Sequence, residues 1–227
     1  DVLRGFADEL EGAEDFNAAL HDLVVRTIKE HKRIIFNGDG YSQEWAKEAE
    51  KRGLLNLKNA AEALPYFAEK KSVELFGRMK VFTEREVVTR TEIMLENYTK
   101  VLTIEALTMS DMAKKDILPA VGEYIAALCD KISKVKEVIP GAPCGADESL
   151  ARKLAALSES LAEKTEGLDE LLIAAKECAE GREAAEFFAE KVVPAMQELR
   201  ACADETELCT AKKYWPFPTY GDILFSV

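Results

Sequence analysis

Apolar side chains return every three or four positions along nearly the whole chain, and strict alternation is almost absent, so the pattern predicts helices throughout. Across residues 16–35, Leu20, Leu23, Val24, Ile28 and Ile34 fall on one side of an amphipathic helix among charged positions. That helix stops at Asn37-Gly38-Asp39-Gly40, residue types that tolerate positive φ and form turns. Ser42 is placed to cap a second helix over 45–52, closed by Gly53, and short helices follow around Pro65 and over 73–76. Thr83-Glu84-Arg85-Glu86 is a capping box, and it opens a long helix. Its stripe is read as Val87, Met94, Tyr98 and Val101, followed after Pro119 by Val121, Ile125, Leu128, Ile132 and Val135. Proline removes one helical hydrogen bond and crowds the preceding turn, so a kink is expected near Ile117.

Pro140-Gly141-Ala142-Pro143-Cys144-Gly145 can only be a loop. Beyond it Leu150, Leu154, Leu157, Leu161, Leu168 and Leu171 mark a second long helix, interrupted at Lys164 and expected to close at Gly181. Phe188, Val192, Ala195, Leu199, Cys202 and Cys209 mark a third, with Pro194 as a second kink. Narrow seams on three long helices predict antiparallel packing. The fold class is therefore all-α: a long antiparallel helical bundle with kinked helices, short helices at the N-terminal end and an aromatic, proline-rich C-terminal tail. That tail, residues 214–227, holds five aromatic residues and two prolines and is too apolar to stay in water, so it is expected to dock on its own body or on a neighbour.

Composition adds limits. With 227 residues, 48% apolar and 32% charged, the chain is long enough for a core and is neither disordered nor membrane-like. A net charge of −12 repels phosphate backbones and anionic lipid, which removes nucleic acid and membrane as expected partners. Five unpaired-looking cysteines and no long apolar run point to a reducing, cytoplasmic setting. Val2, Leu3, Phe6 and Leu10 already keep helical spacing at the first residues, with no initiator methionine, as in a chain cut from something longer.

No constellation carries chemistry by itself. His21 and His31 are the only histidines and have no paired-cysteine motif beside them, so a zinc site lacks ligands, and both read as helix-surface side chains. In the turn at 37–40, Tyr41 and Ser42 stand where a calcium loop needs a ligand oxygen and a glycine, and Gln43 replaces the third glycine of a dinucleotide fingerprint. Cys144 is the most exposed-looking thiol but has no base near it in sequence. Glu159, Glu163, Glu166 and Glu170 lack the Glu-x-x-His partners of a di-iron bundle and read as a solvated face. Met109 and Met112, beside Ile104 and Leu107, are apolar enough for a pocket, although core packing is the commoner use.

Long literal strings nevertheless point to a family. Arg33-Ile34-Ile35-Phe36-Asn37-Gly38-Asp39-Gly40-Tyr41-Ser42, Glu50-Lys51-Arg52-Gly53-Leu54-Leu55-Asn56-Leu57, Ile104-Glu105-Ala106-Leu107-Thr108-Met109, Asp111-Met112-Ala113-Lys114-Lys115-Asp116-Ile117-Leu118-Pro119-Ala120 and Tyr214-Trp215-Pro216-Phe217-Pro218-Thr219-Tyr220-Gly221-Asp222 closely resemble the C-terminal region of type III glutamine synthetases. Residues 77–98, with Val81-Phe82-Thr83, are similar to the helix that closes glutamine synthetases generally. The resemblance implies a cytoplasmic parent of two stacked hexameric rings that joins ammonia to glutamate with ATP and magnesium or manganese. It also implies that the catalytic domains, with their metal and nucleotide residues, lie outside this chain. None of those residues is carried over to a position here, so the expected catalytic, cofactor-binding and metal-ligating sets are empty, no cofactor is held, and the fragment alone is inert.

By the same resemblance, residues 1–82 are the C-terminal end of the catalytic region, the first dozen being its last helix. Residues 83–210 are a long-helix extension and 211–227 a docking tail. The expected role is assembly, with the parent's own catalytic domain and neighbouring subunits of a homo-oligomer as partners. The alternative is a regulatory module binding a metabolite or a nitrogen-signalling protein through Met109, Met112 and the aromatic tail.

Overall fold

The computed structural model describes residues 1–225, and every regular element among them is helical; Ser226 and Val227, the end of the expected tail, lie outside the described residues. The chain divides into two compact units, Asp1–Lys58 and Asn59–Val227.

In the first unit, α1 (Val2–Glu11) and α2 (Phe16–His31) pack together, and Arg26 on α2 donates to the Glu9 carboxylate of α1 at 2.7 Å. Asp15 caps α2 by accepting from the Ala18 amide at 3.1 Å. One 3-10 turn, Lys32–Ile34, leads into the loop before α3 (Gln43–Lys51). Ser42 caps α3 as expected, accepting from Trp45 N–H, and Gly53 takes φ +72° where a side chain would be strained.

The second unit opens with α4 (Ala60–Phe67) and α5 (Lys70–Arg78), and then α6 (Glu84–Met112) starts from the expected capping box. Thr83 Oγ1 accepts from the Glu86 amide at 3.3 Å, and the Glu86 carboxylate accepts from the Thr83 amide at 2.8 Å. The helix continues through a π-turn, Ala113–Ile117, into α7 (Leu118–Val138). After a loop comes α8 (Gly145–Ala175), then α9 (Arg182–Phe187), a second π-turn (Phe188–Val192), α10 (Val193–Cys209) and the short α11 (Tyr220–Leu224). Both α7 and α10 pack along α8, which makes α8 the central rod. The loop between α7 and α8 is short, so α7 and α8 run antiparallel.

The irregularities expected at Pro119 and Pro194 are these π-turns. Leu118 donates back to the Ala113 carbonyl and Val193 to the Phe188 carbonyl, one residue further than in an α-helix. The widened turn gives the proline ring room and leaves its missing donor at a place where none is needed. It also keeps the buried face in register, because Ala113, Ile117 and Val121 all reach the core.

Leu154, Leu161, Leu168, Leu199, Val121 and Val192 are fully enclosed in the main core. The seam of α6 differs from the expected stripe. Val87, Thr91, Leu95, Ala106 and Ser110 are buried and Tyr98 and Leu102 half-buried, whereas Met94 and Val101 are exposed. From Val87 to Tyr98 the spacing runs four-four-three and it continues to Ser110 in fours, longer steps than the 3.5-residue heptad that selects Met94 and Val101. The gap in the α8 stripe is filled by Thr165, not broken by Lys164, whose ammonium donates to Glu198 at 3.0 Å from the flank. The buried threonines are tolerated in these seams because their hydroxyls are satisfied. Thr91, Thr165 and Thr206 donate to the carbonyls of Val87, Leu161 and Cys202 at 2.9, 2.6 and 2.8 Å. Ser110 crosses to α8 and donates to Asp169 at 2.7 Å, beside an ion pair of Asp169 with Lys114.

Two boundaries are corrected. α8 ends at Ala175, one turn past Leu172, its last buried seam residue. Gly181, at φ +82°, instead sits at the N-cap of α9. Cys144, expected on the surface, is 7% exposed, because it closes the turn into α8 beneath ion pairs of Lys131 with Asp147 and Lys136 with Glu148.

Candidate functional site

The structure keeps the candidate chemical side chains apart. His21 and His31 are exposed on α2, and His21 has only its neighbour Asp22 within reach, at 3.4 Å. Glu159, Glu163, Glu166 and Glu170 are exposed along α8. All five cysteines are free, the exposed one being Cys129. Among the described residues no three His, Cys, Asp or Glu side chains converge as a metal site would require.

The turn at 37–40 is built by packing. The Phe36 ring stacks on Trp45 of α3 at 4.3 Å, and the Arg52 guanidinium lies 5.9 and 5.7 Å from the two ring centroids. Arg52 Nε donates to Glu48 and its Nη1 to the Ile35 carbonyl, at 2.7 and 2.8 Å, which pins the loop to the helix. The bond from Arg52 holds the Glu48 carboxyl below its ordinary pKa. Gly38 is required by this stack, since a Cβ there would stand 2.6 Å from the Phe36 ring. Asp39 accepts from the Tyr41 amide at 2.9 Å, and the fixed loop presents a fully exposed Tyr41. A stacked, twice-anchored loop with a bare tyrosine at its tip was not legible from spacing, because Phe36 and the Ile35 carbonyl lie the whole of α3 away from Arg52.

Two apolar surfaces stand out. The first is a ridge on α2, where Phe16, Leu20, Val24 and Ile28 follow one another at four-residue steps, each between 37 and 55% exposed. Only Leu23 of this predicted apolar face is buried, so the amphipathic helix is real but most of its apolar side faces outward. The second is a groove of about 800 Å³ beside α6 and α10. Met109 and Met112 line it with Met196 from α10 and with Trp215, Phe217 and Tyr220 from the tail. Trp215 and Phe217 also pack against the main core, and Tyr214 stacks on Tyr124 of α7 at 4.9 Å. Ile104 and Leu107, grouped with those methionines from sequence, lie on a different groove with Leu172, Ile173 and Phe188, because Ile104 stands five residues before Met109 and Leu107 five before Met112, an offset of roughly 140° that turns them to the other flank of α6. Met196 escaped notice for want of any sequence neighbour to pair it with.

Fold and surfaces together define a class: an all-helical bundle region whose developed features are exposed apolar surfaces. Comparison with known proteins places it further. Residues 19–136, just over half of the chain, match the family described as glutamine synthetase C-terminal domain, and the chain belongs to that family. It is similar to a glutamine synthetase of Butyrivibrio fibrisolvens, 36% identical over 94% of this chain and 31% of that protein. It is also similar to the type-3 glutamine synthetase of Dictyostelium discoideum, at 30% identity over 91% of this chain and 29% of the relative. A glutamine synthetase of Bacteroides fragilis (strain YCH46) is 29% identical over 90% of this chain and 29% of its own length. The family expected from the literal strings is thus the one found, and the chain spans about a third of the length of the curated relatives it matches.

Proposed function

We propose that this chain is the non-catalytic assembly region of an ATP-dependent glutamine synthetase that makes glutamine from glutamate and ammonia in the cytoplasm. The observation that carries the reading is the α2 ridge, four large apolar side chains left exposed in a family whose members are about three times longer. Exposed apolar faces of that kind mark contact surfaces. In this reading residues 1–82 lie against the catalytic region, residues 83–210 form the extension that organises neighbouring subunits, and residues 211–227 dock. ATP and magnesium or manganese are assigned to the catalytic region of the parent on the family relationship. No helix among the described residues is long and apolar enough to cross a membrane, which fits the same location.

Deleting residues 83–209 from the parent enzyme tests the reading. Sedimentation velocity is expected to give a smaller particle, with reduced glutamine formation. An unchanged particle with full activity contradicts it. A second reading, a regulatory binding module, is favoured by one observation: Met109, Met112 and the tail aromatics, far apart in sequence, meet in a single groove. The α2 ridge and the groove are built from different residues, so substitutions confined to each test the two readings separately.

A further inference from the structure

The groove between α6, α10 and the tail has a composition that specifies an occupant. Three of the chain's five methionines, Met109, Met112 and Met196, meet there with Trp215 and Phe217. Unbranched thioethers adapt to irregular apolar partners, and indole and phenyl rings supply rigid anchoring area. Its volume of about 800 Å³ is open along one side, a shape that suits a helix face better than an enclosed small molecule.

The rim supplies the second term. Glu105, Asp204 and Glu207 line the groove on the acidic side and Arg200 alone on the basic side. Arg200 is already committed, since its Nε donates to Asp204 at 2.6 Å. That leaves Glu105 and Glu207, both exposed, to set the sign of the rim. A long apolar side chain flanked by lysine or arginine satisfies floor and rim together, whereas an acidic helix meets repulsion on both edges.

We infer that this groove binds a basic amphipathic helical segment of a separate protein, an inference that rests on the binding-module reading and gives it a partner of defined chemistry. The probe is a fluorescently labelled 18-residue peptide of leucine and lysine, with leucine at helical spacing. Its controls are the leucine–glutamate peptide of identical pattern and a scrambled leucine–lysine peptide. Anisotropy is read on the full chain at low salt. The leucine–lysine peptide is expected to bind saturably and at least about tenfold more tightly than either control, and to weaken as salt screens the rim. The Glu105→Lys/Glu207→Lys pair, on exposed positions that leave the core intact, is expected to abolish that preference.

Equal binding of the acidic peptide overturns the basic partner while leaving a binding groove in place. Absence of binding by all three peptides overturns both. Concentration-dependent self-association that Met112→Lys removes, with no peptide bound, makes the occupant a second copy and also overturns the proposal.

Discussion

Leu95 and Met94 are adjacent on α6 and swap roles between the heptad expectation and the structure, so substituting each in turn tests which period governs the bundle. Leu95 is 5% exposed and packs with Ala61 of α4 and Ala185 of α9. Truncating it to alanine removes three buried carbons and opens a void between three helices, at a cost of about 2–3 kcal/mol. For a chain of this size each kcal/mol moves the melting temperature by roughly 2–4 °C, so Leu95→Ala is expected to melt about 5–10 °C lower. Met94 is 37% exposed, and Met94→Ala is expected to cost no more than about 0.5 kcal/mol, or roughly 1–2 °C. Far-UV circular dichroism melts on the two variants and the parent sequence give the comparison directly. A Met94→Ala loss equal to or larger than that of Leu95→Ala would refute the four-four-three seam.

Other consequences are as specific. Gly38→Ala drives a Cβ into the Phe36 ring and is expected to cost about 1–3 kcal/mol, seen as a change in the near-UV aromatic spectrum as the Phe36–Trp45 stack is displaced; an unaltered spectrum and melt would show the stack is not needed. At Asp169, burial opposes the charge, but the bonds from Lys114 and Ser110 outweigh it and hold the carboxyl below its ordinary pKa. A lowered folded-state pKa gives stability that is present above the ordinary carboxylate value and is lost as pH falls through the folded one. With the pair 45 and 31% exposed, that contribution is discounted to roughly 1 kcal/mol, so Asp169→Asn is expected to be less stable at pH 7, with the gap to the unsubstituted chain starting to narrow only below about pH 4 and closing beneath the lowered folded-state pKa. A gap that persists unchanged into acid would contradict the assignment.

What was legible follows from what each residue does. Thr83 and Ser42 announced their helices because a capping side chain acts within three residues of itself, inside the window a pattern can see. Pro119 and Pro194 located both irregularities, but not their form, since a π-turn is settled by which carbonyl the neighbouring amide finds. The α6 seam was misread because Thr91 and Ser110 occupy buried positions with polar names; their hydroxyl partners, a carbonyl four residues back and a carboxylate on another helix, do not show in an apolar pattern. Cys144 looked exposed because glycine and proline surround it, whereas its burial depends on α7 and α8 closing over the turn. The family was legible in literal strings such as the one at 33–42. Of the two apolar surfaces, the α2 ridge was visible as a periodic face whose exposure only the fold could reveal. The groove needed Met196 and the tail to be brought beside α6.

The central claim is that the α2 ridge, bare in this chain, is covered in the parent enzyme, and one substitution made in two settings tests it. Val24 is 46% exposed here, so Val24→Glu is expected to change the melting of this chain by no more than about 0.5 kcal/mol. In the full-length glutamine synthetase the same change would bury an unpaired charge, and sedimentation velocity with a glutamine-forming assay is expected to show smaller particles and lost activity, with Val24→Ala close to normal. Unaltered assembly and activity of the Val24→Glu enzyme would contradict the account.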